Sequence, residues 1–350
     1  MKRLVSSTFV IRSGRAAFAS LALLLWSSAA WAVTQVTTCG LQVQGDAELA
    51  GDLDCSAYSG DALKLDGTLH LNGFTMRGNV SYSSSVVSCP TDCTIIGPGI
   101  VREGYHGVVA AGEVVLQDVT LDSNAHVGAS GDQVSASGVT VTANGDSGLA
   151  GSVLDVRDSS FSGNVTAIRC YVDVFPHPRG GFCTVRDSII SNNTGAGVVA
   201  GTRLTIKGTS VTGNQGGGVQ ARNLRMSNCV FHGNNGGIVA QSARIRDSHV
   251  TDNQDNAIRL SVYRLGMGFK LVLVDSTVTG NAGSAIRNQE PTGVRLVVRG
   301  SSLTGNCIAP GGLDCADILS CHVPTIEDST CETSHDLCNP GTTWGVCSLD

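Results

Sequence analysis

Six cations stand at matched positions of successive short segments: Arg157 in LDVRD, Arg186 in TVRD, Lys207 in LTIKG, Arg225 in NLRMS, and Arg244 and Arg246 in ARIRD. Apolar and polar residues alternate in each segment, so the cations share one face of a set of strands. Guanidinium groups in a file suit bidentate recognition of carboxylates or sulfates. Two insertions nearby add rings and further cations. CYVDVFPHPRGGFC carries Tyr171, Phe175, His177 and Arg179; SVYRLGMGFK carries Tyr263, Arg264 and Phe269. An aromatic ring can pack on a sugar face while an arginine takes its acid group. The competing role is structural: each Arg paired with a turn carboxylate (Asp158, Asp187, Asp247) in a solvated ladder. Catalytic groups are harder to find. Glycoside hydrolysis needs two carboxylates flanking a bond, and no such pair stands out. His177 is the histidine best placed to act. His232 and His249 lie on neighbouring segments and read as solvated surface. No Cys/His spacing suggests zinc, and no P-loop, triad or calcium nonapeptide occurs. Neither a metal nor a cofactor is expected; calcium has no motif.

What positions these groups is an internal repeat. Asn79, Asn124, Asn144, Asn164, Asn193, Asn214, Asn234, Asn253, Asn281 and Asn306 recur at a period near 20 residues, with occasional insertions. Glu103 reads as the Asn equivalent of one degenerate copy. Three residues before each Asn stands an apolar residue (Leu121, Val141, Phe161, Ile190, Val211, Phe231, Val250, Val278, Leu303), and eight before it another. Four or five after it comes a third. Polar residues alternate between these columns, which is strand periodicity in three short runs per repeat. Three strands and no helix make one turn of a coil, and the next turn stacks about 4.8 Å away. The expected fold is all-β, a right-handed parallel β-helix solenoid of about eleven rungs. The Asn residues from Asn124 to Asn306 form an inward ladder of amides, each bonding its copies above and below. Glycines after the Asn are expected to take positive φ at the bend. Cys229 falls in a column of small inward residues and is expected to be a buried, inert thiol.

Residues 1–32 have the layout of a secretory signal peptide: four positive charges, an apolar run, and small residues before Val33. The expected destination is the periplasm or the outside of the cell. Losing that segment removes four of the 23 basic residues and none of the 29 acidic ones, taking the net charge from −6 to about −10. That balance argues against nucleic acid as a partner. No later run is long and apolar enough to span a bilayer. Thirteen cysteines in an exported chain suggest disulfides. Their sequence neighbours pair as Cys39/Cys55, Cys89/Cys93, Cys170/Cys183, Cys307/Cys315, Cys321/Cys331 and Cys338/Cys347, leaving Cys229 over. Solenoid ends need caps. Residues 33–65 are assigned as the N-terminal cap and first strands, 66–306 as the coil, and 307–350 as a cysteine-rich C-terminal cap.

GDALKLDGTLHLNGFTMRG, GPGIVREGYHGV, the GN-containing repeats and the ending NPGTTWGVCSLD resemble secreted right-handed β-helix proteins of the pectate-lyase-like superfamily. The resemblance implies the fold over nearly the whole chain after residue 32. It implies function only broadly, since that superfamily holds polysaccharide lyases, hydrolases, epimerases, tailspikes and members without known activity. The polygalacturonase, pectate-lyase and alginate-epimerase signatures are all missing. The expectation is therefore a module that binds extracellular, acidic polysaccharide through Arg157, Arg186, Lys207, Arg225, Arg244, Arg246, Tyr171, His177, Arg179, Tyr263 and Arg264. The alternatives are a lyase or uronate epimerase working on the outer sheet face, and a non-catalytic structural or cell-contact protein. The sequence does not specify the oligomeric state.

Overall fold

The computed structural model describes residues 33–172, 179–261, 269–289, 294–307 and 316–350. Among them there are 33 short strands and no helix. The strands wind into a parallel solenoid of about 12 turns. Three ladders run through it. One stacks Leu116, Ala136, Val156, Val185, Ile206, Met226, Ile245, Leu273 and Val298. The second stacks Leu121, Val141, Phe161, Ile190, Val211, Phe231, Val250, Val278 and Leu303. The third stacks Leu149, Ile168, Val198, Val219, Ile238, Ile258 and Ile286. Nearly all are fully buried. Each apolar side chain is covered by its copies on adjacent turns, which is why a 20-residue unit that buries nothing alone can build a core. Parallel pairing begins at Thr34–Val36 and continues to Ser334–Asp336.

The amide ladder is present and has a direction. The side-chain NH2 of each Asn donates to Oδ1 of the next: Asn124 to Asn144 at 2.9 Å, Asn193 to Asn214 at 2.8 Å, Asn281 to Asn306 at 2.8 Å. Backbone N–H groups of the same residues donate to the same oxygens, as Asn164 does to Asn193 at 3.0 Å. In all but Asn124 and Asn253 the amide also donates to a strand carbonyl of the preceding turn, as from Asn164 to Val141 at 3.0 Å. Every buried amide is thus satisfied several times over. Asn79 stands outside the ladder; its amide bonds the Ser56 carbonyl.

Three expectations need correction. Gly104, not Glu103, takes the Asn place in the degenerate copy. Its N–H donates to Asn124 Oδ1, and Val101, not Ile100, stacks on Leu121. Positive φ falls on the residue before each Asn (Ser123, Ala143, Gly163, Asn192, Gly213), not on the glycines after it, apart from Gly217. The later glycines are small for another reason: a Cβ on Gly237 would lie 2.1 Å from the Ala257 carbonyl oxygen of the next turn. A second left-handed column sits at the other end of the short strand, at Asp118, Gly138, Asp158, Asp187, Gly208, Asn228, Asp247 and Asp275. Asp and Asn are the non-glycine residues that tolerate this conformation best.

The third correction concerns the C-terminal disulfides. Cys39–Cys55, Cys89–Cys93 and Cys170–Cys183 pair as neighbours, but the last four cysteines interleave as Cys321–Cys338 and Cys331–Cys347. The reason is register. Strand Ile318–Ser320 lies against Ser334–Asp336, so a residue here meets the one 16 positions later. Cys321 therefore reaches Cys338, and Cys331 reaches Cys347, each at a Cα separation of 5.0 Å. Cys307 is disulfide-bonded; Cys315, its expected partner, lies outside the described residues.

Cys229 is free and 1% exposed, as expected. Its thiol faces the Ser227 carbonyl, and burial pushes its pKa up to about 11. A thiol so protonated and enclosed is a poor nucleophile. Iodoacetamide at neutral pH should leave Cys229 unmodified in the native protein and alkylate it completely in denaturant. Peptide mass mapping reads the result, and rapid native labelling would contradict this burial.

Candidate cation-lined sheet face

The outward side of the first ladder brings the sequence-expected cations together in register. Arg157 lies against Arg186, and Arg186 against Lys207. Arg225 lies against Arg244, with Arg246 two residues along. The same face adds cations that the sequence pattern passed over. Arg203 and Lys270 stand in a column two residues earlier, with Asn223 and Ser242 between them; Arg295 follows Lys270. The signal was available, since that column obeys the same alternation, but it begins where the insertions disturb the count. Arg203 also lies over the Phe182 ring, 5.9 Å from its centroid.

Two adjoining shallow clefts follow from this arrangement. One, of about 370 Å³, is lined by Arg203, Asn223, Arg225, Ser242, Arg244 and Lys270. The other, of about 430 Å³, is lined by Thr205, Arg225, Ser227, Arg244 and Arg246. Among the described residues this face holds two carboxylate pairs: Asp155 is 3.6 Å from Arg186, with both groups about half exposed, and Glu327 pairs with Arg299 at the C-terminal end of the Arg246 column. Lys207, Arg225, Arg244 and Arg246 have no carboxylate within ion-pair distance among the described residues. Asp158, Asp187 and Asp247 serve as left-handed turn residues instead. Elsewhere the chain does pair its arginines: Arg77 with Asp54 and Glu103, and Arg102 with Glu103 and Asp122. Like charges on adjacent strands repel, so this face carries an electrostatic cost that an anion would remove.

The insertion after Cys170 is pinned by its disulfide, and the backbone of Tyr171 and Val172 pairs antiparallel with Gly180 and Arg179. His177, Tyr263 and Arg264 lie outside the described residues. His232 and His249 are exposed in different columns; His232 Nδ1 is 3.1 Å from Asp252 Oδ2.

A second cluster was not anticipated. At the corner after the amide ladder, the Tyr105 and His126 rings stack at 5.3 Å with 8° between planes. His106 meets both edge-on at 4.7 and 5.1 Å, and Tyr82 flanks Tyr105 at 5.0 Å. His126 Nε2 lies 3.7 Å from Asp146 Oδ2, and Arg169 holds Asp146 through two bonds of 2.8 Å. Burial lowers the His106 pKa, with the His126 charge adding to the effect and Asp61 opposing it. Taking Glu103 for the Asn equivalent shifted this turn by one residue and hid the alignment of the two rings.

Residues 174–323 match the sequence profile of a family described as Right handed beta helix region. No curated protein matches the chain. Among solved structures, the A-module of mannuronan C-5 epimerase AlgE6 from Azotobacter vinelandii is similar at 12% identity, over 83% of this chain and 90% of that one, with a TM-score of 0.38. The profile agrees with the coil seen here. No helix among the described residues is long and apolar enough to cross a membrane.

Proposed function

We propose that this protein is an exported binding module for an acidic polysaccharide, held along the cation-lined sheet face. One observation carries the reading: cations stack on adjacent turns, and Lys207, Arg225, Arg244 and Arg246 have no carboxylate partner among the described residues, in a chain of net charge −6. A polyuronate or sulfated glycan presents anions at regular intervals on an extended chain, matching cations at regular intervals on a rod. The face is shallow and open, which suits a polymer laid along it better than a small molecule enclosed by it. The disulfides support an oxidising, extracytoplasmic setting.

The test is titration of the purified chain with polyuronate and sulfated glycans at two salt concentrations. Binding should weaken with salt, as exposed ion pairs do. Arg225→Ala with Arg244→Ala should weaken it by about tenfold or more per arginine, from roughly 1.5–3 kcal/mol for a hydrogen bond to a charged group. Unchanged affinity in the double variant would sink the reading. Catalysis is the second reading, favoured by the Arg169–Asp146–His126 chain beside Tyr105, which offers acid–base groups. Ultraviolet absorbance of an unsaturated sugar product, followed in the same titrations, separates a lyase from a binder.

A further inference from the structure

The outward side of the short strands is unlike the rest of the surface. From Thr140–Thr142 to Ser302–Thr304 these strands carry no Lys, Arg, Asp or Glu. They present two straight files. One runs Thr142, Ser162, Ser191, Thr212, His232, Thr251, Thr279 and Thr304. The other, two residues earlier on each strand, mixes hydroxyls with Ile189 and Val230. The register between turns is unbroken, because every insertion falls elsewhere. A left-handed residue at each end of the strand sets its length on every turn.

Most of these hydroxyls are free. Ser162, Ser191, Thr212, Thr279 and Thr304 have no side-chain hydrogen bond to protein among the described residues, although inward serines such as Ser188, Ser248 and Ser276 all donate to backbone carbonyls. The result is a regular lattice of hydroxyl donors and acceptors, interrupted by Ile189, Val230, His232 and His249. It repeats at about 4.8 Å between turns and roughly 6.6 Å along a strand. Water held by such a lattice is ordered in two dimensions, at spacings close to those of the oxygen planes of hexagonal ice. Three features select the occupant. A charged face would favour liquid water around ions; these strands carry no Lys, Arg, Asp or Glu, and among the described residues carboxylates meet the file only at Thr142, from Asp122, and at His232, from Asp252. A crystalline sugar surface is normally met by flat aromatic rings, and the only rings here are His232 and His249. Thr, Ile189 and Val230 add methyl groups to the same files, which suits a surface that must release mobile water.

We propose that this face adsorbs to ice. The proposal is independent of the cation-lined face, which belongs to a different ladder. The test uses the purified chain in ice-recrystallisation and ice-adsorption assays, with fluorescently tagged protein. The wild-type protein should coat growing ice and suppress recrystallisation. Thr212→Lys with Thr279→Lys, both at partly exposed positions, should abolish both effects while circular dichroism and melting temperature stay unchanged. Ser162→Lys alone is the milder variant, should the pair melt early. Arg225→Ala with Arg244→Ala should leave ice adsorption intact. Absence of adsorption by folded wild-type protein overturns the proposal. So does adsorption that survives the lysine variants, or retention on crystalline cellulose or chitin in place of ice.

Discussion

Asn214→Ala should open the middle of the coil at a much lower denaturant concentration than the parent chain. Asn214 is fully buried and sits at the centre of the amide ladder. Its Oδ1 accepts from Asn193 N at 3.1 Å and Asn193 Nδ2 at 2.8 Å. Its NH2 donates to Ile190 O at 3.2 Å and Asn234 Oδ1 at 2.9 Å. Alanine removes the acceptor from one turn and the donor from the next. Water cannot replace them inside a stack this tight. With about 1–3 kcal/mol for each buried polar group left unpaired, the loss should reach roughly 3–6 kcal/mol. Solenoid turns are stabilised by their neighbours, so the damage should be local first. Native-state hydrogen exchange should show amides near Asn193, Asn214 and Asn234 losing protection, with the ends affected less. Asn79→Ala is the control, since Asn79 is outside the ladder and its loss should cost about 1 kcal/mol. Equal denaturation midpoints for the two variants would show that the ladder contributes little.

The coil was legible in the sequence because each turn repeats the same solution. Asn, a residue that is costly to bury without partners, recurs with apolar residues at fixed offsets, and only stacking satisfies both. What sequence spacing could not show was which residue closes each turn. Gly104, not the expected Glu103, takes the Asn place, because Gly104 N–H makes the ladder bond without a side chain. That one-residue shift concealed the Tyr105, His106 and His126 cluster. The crossed C-terminal disulfides were hidden for a related reason. Contacts there join residues one turn apart, and Cys321 and Cys331 are neighbours only in sequence. The cation file was visible from alternation alone. The absence of turn carboxylates among its partners was not, because Asp158, Asp187 and Asp247 look like counter-ions in sequence, whereas the described residues pair none of them with the file and their positive φ assigns them to turns.

The regularity that makes the fold readable also divides its surface. Each ladder carries one outward face, and its residues line up file by file. One face gathers cations and another holds hydroxyls without charge, while the core beneath both is the same stack of Val, Ile and Leu. The scaffold therefore constrains where a ligand must repeat, and the outward residues decide its chemistry.

How the ladder ends leads to the second large effect, at Asp317. Along the ladder each amide donates to the next Asn toward the C-terminus, so the last one needs an acceptor from outside the ladder. Asn306 Nδ2 donates to Asp317 Oδ1 at 2.9 Å, and Asp317 Oδ2 accepts from Glu332 N at 2.7 Å and Thr333 N at 3.4 Å. Asp317 is 1% exposed. Alanine here leaves these donors without the carboxylate, and at about 1–3 kcal/mol per unpaired group the last turns should lose roughly 2–5 kcal/mol. Asn at 317 offers one oxygen in place of two and puts its own NH2 against a donor, so Asp317→Asn should fall between the parent and Asp317→Ala. Burial raises the Asp317 pKa, more than its three donors lower it. Its folded value then lies above its unfolded one, so its contribution is complete below the ordinary carboxylate pKa and declines as pH rises through the folded value. Hydrogen exchange at Ile318, Glu332 and Thr333, corrected for the intrinsic pH dependence, should show a cap that is tightest in mild acid. Asp317→Asn should remove that pH dependence. A cap equally protected in all three proteins would mean that the ladder terminates without Asp317.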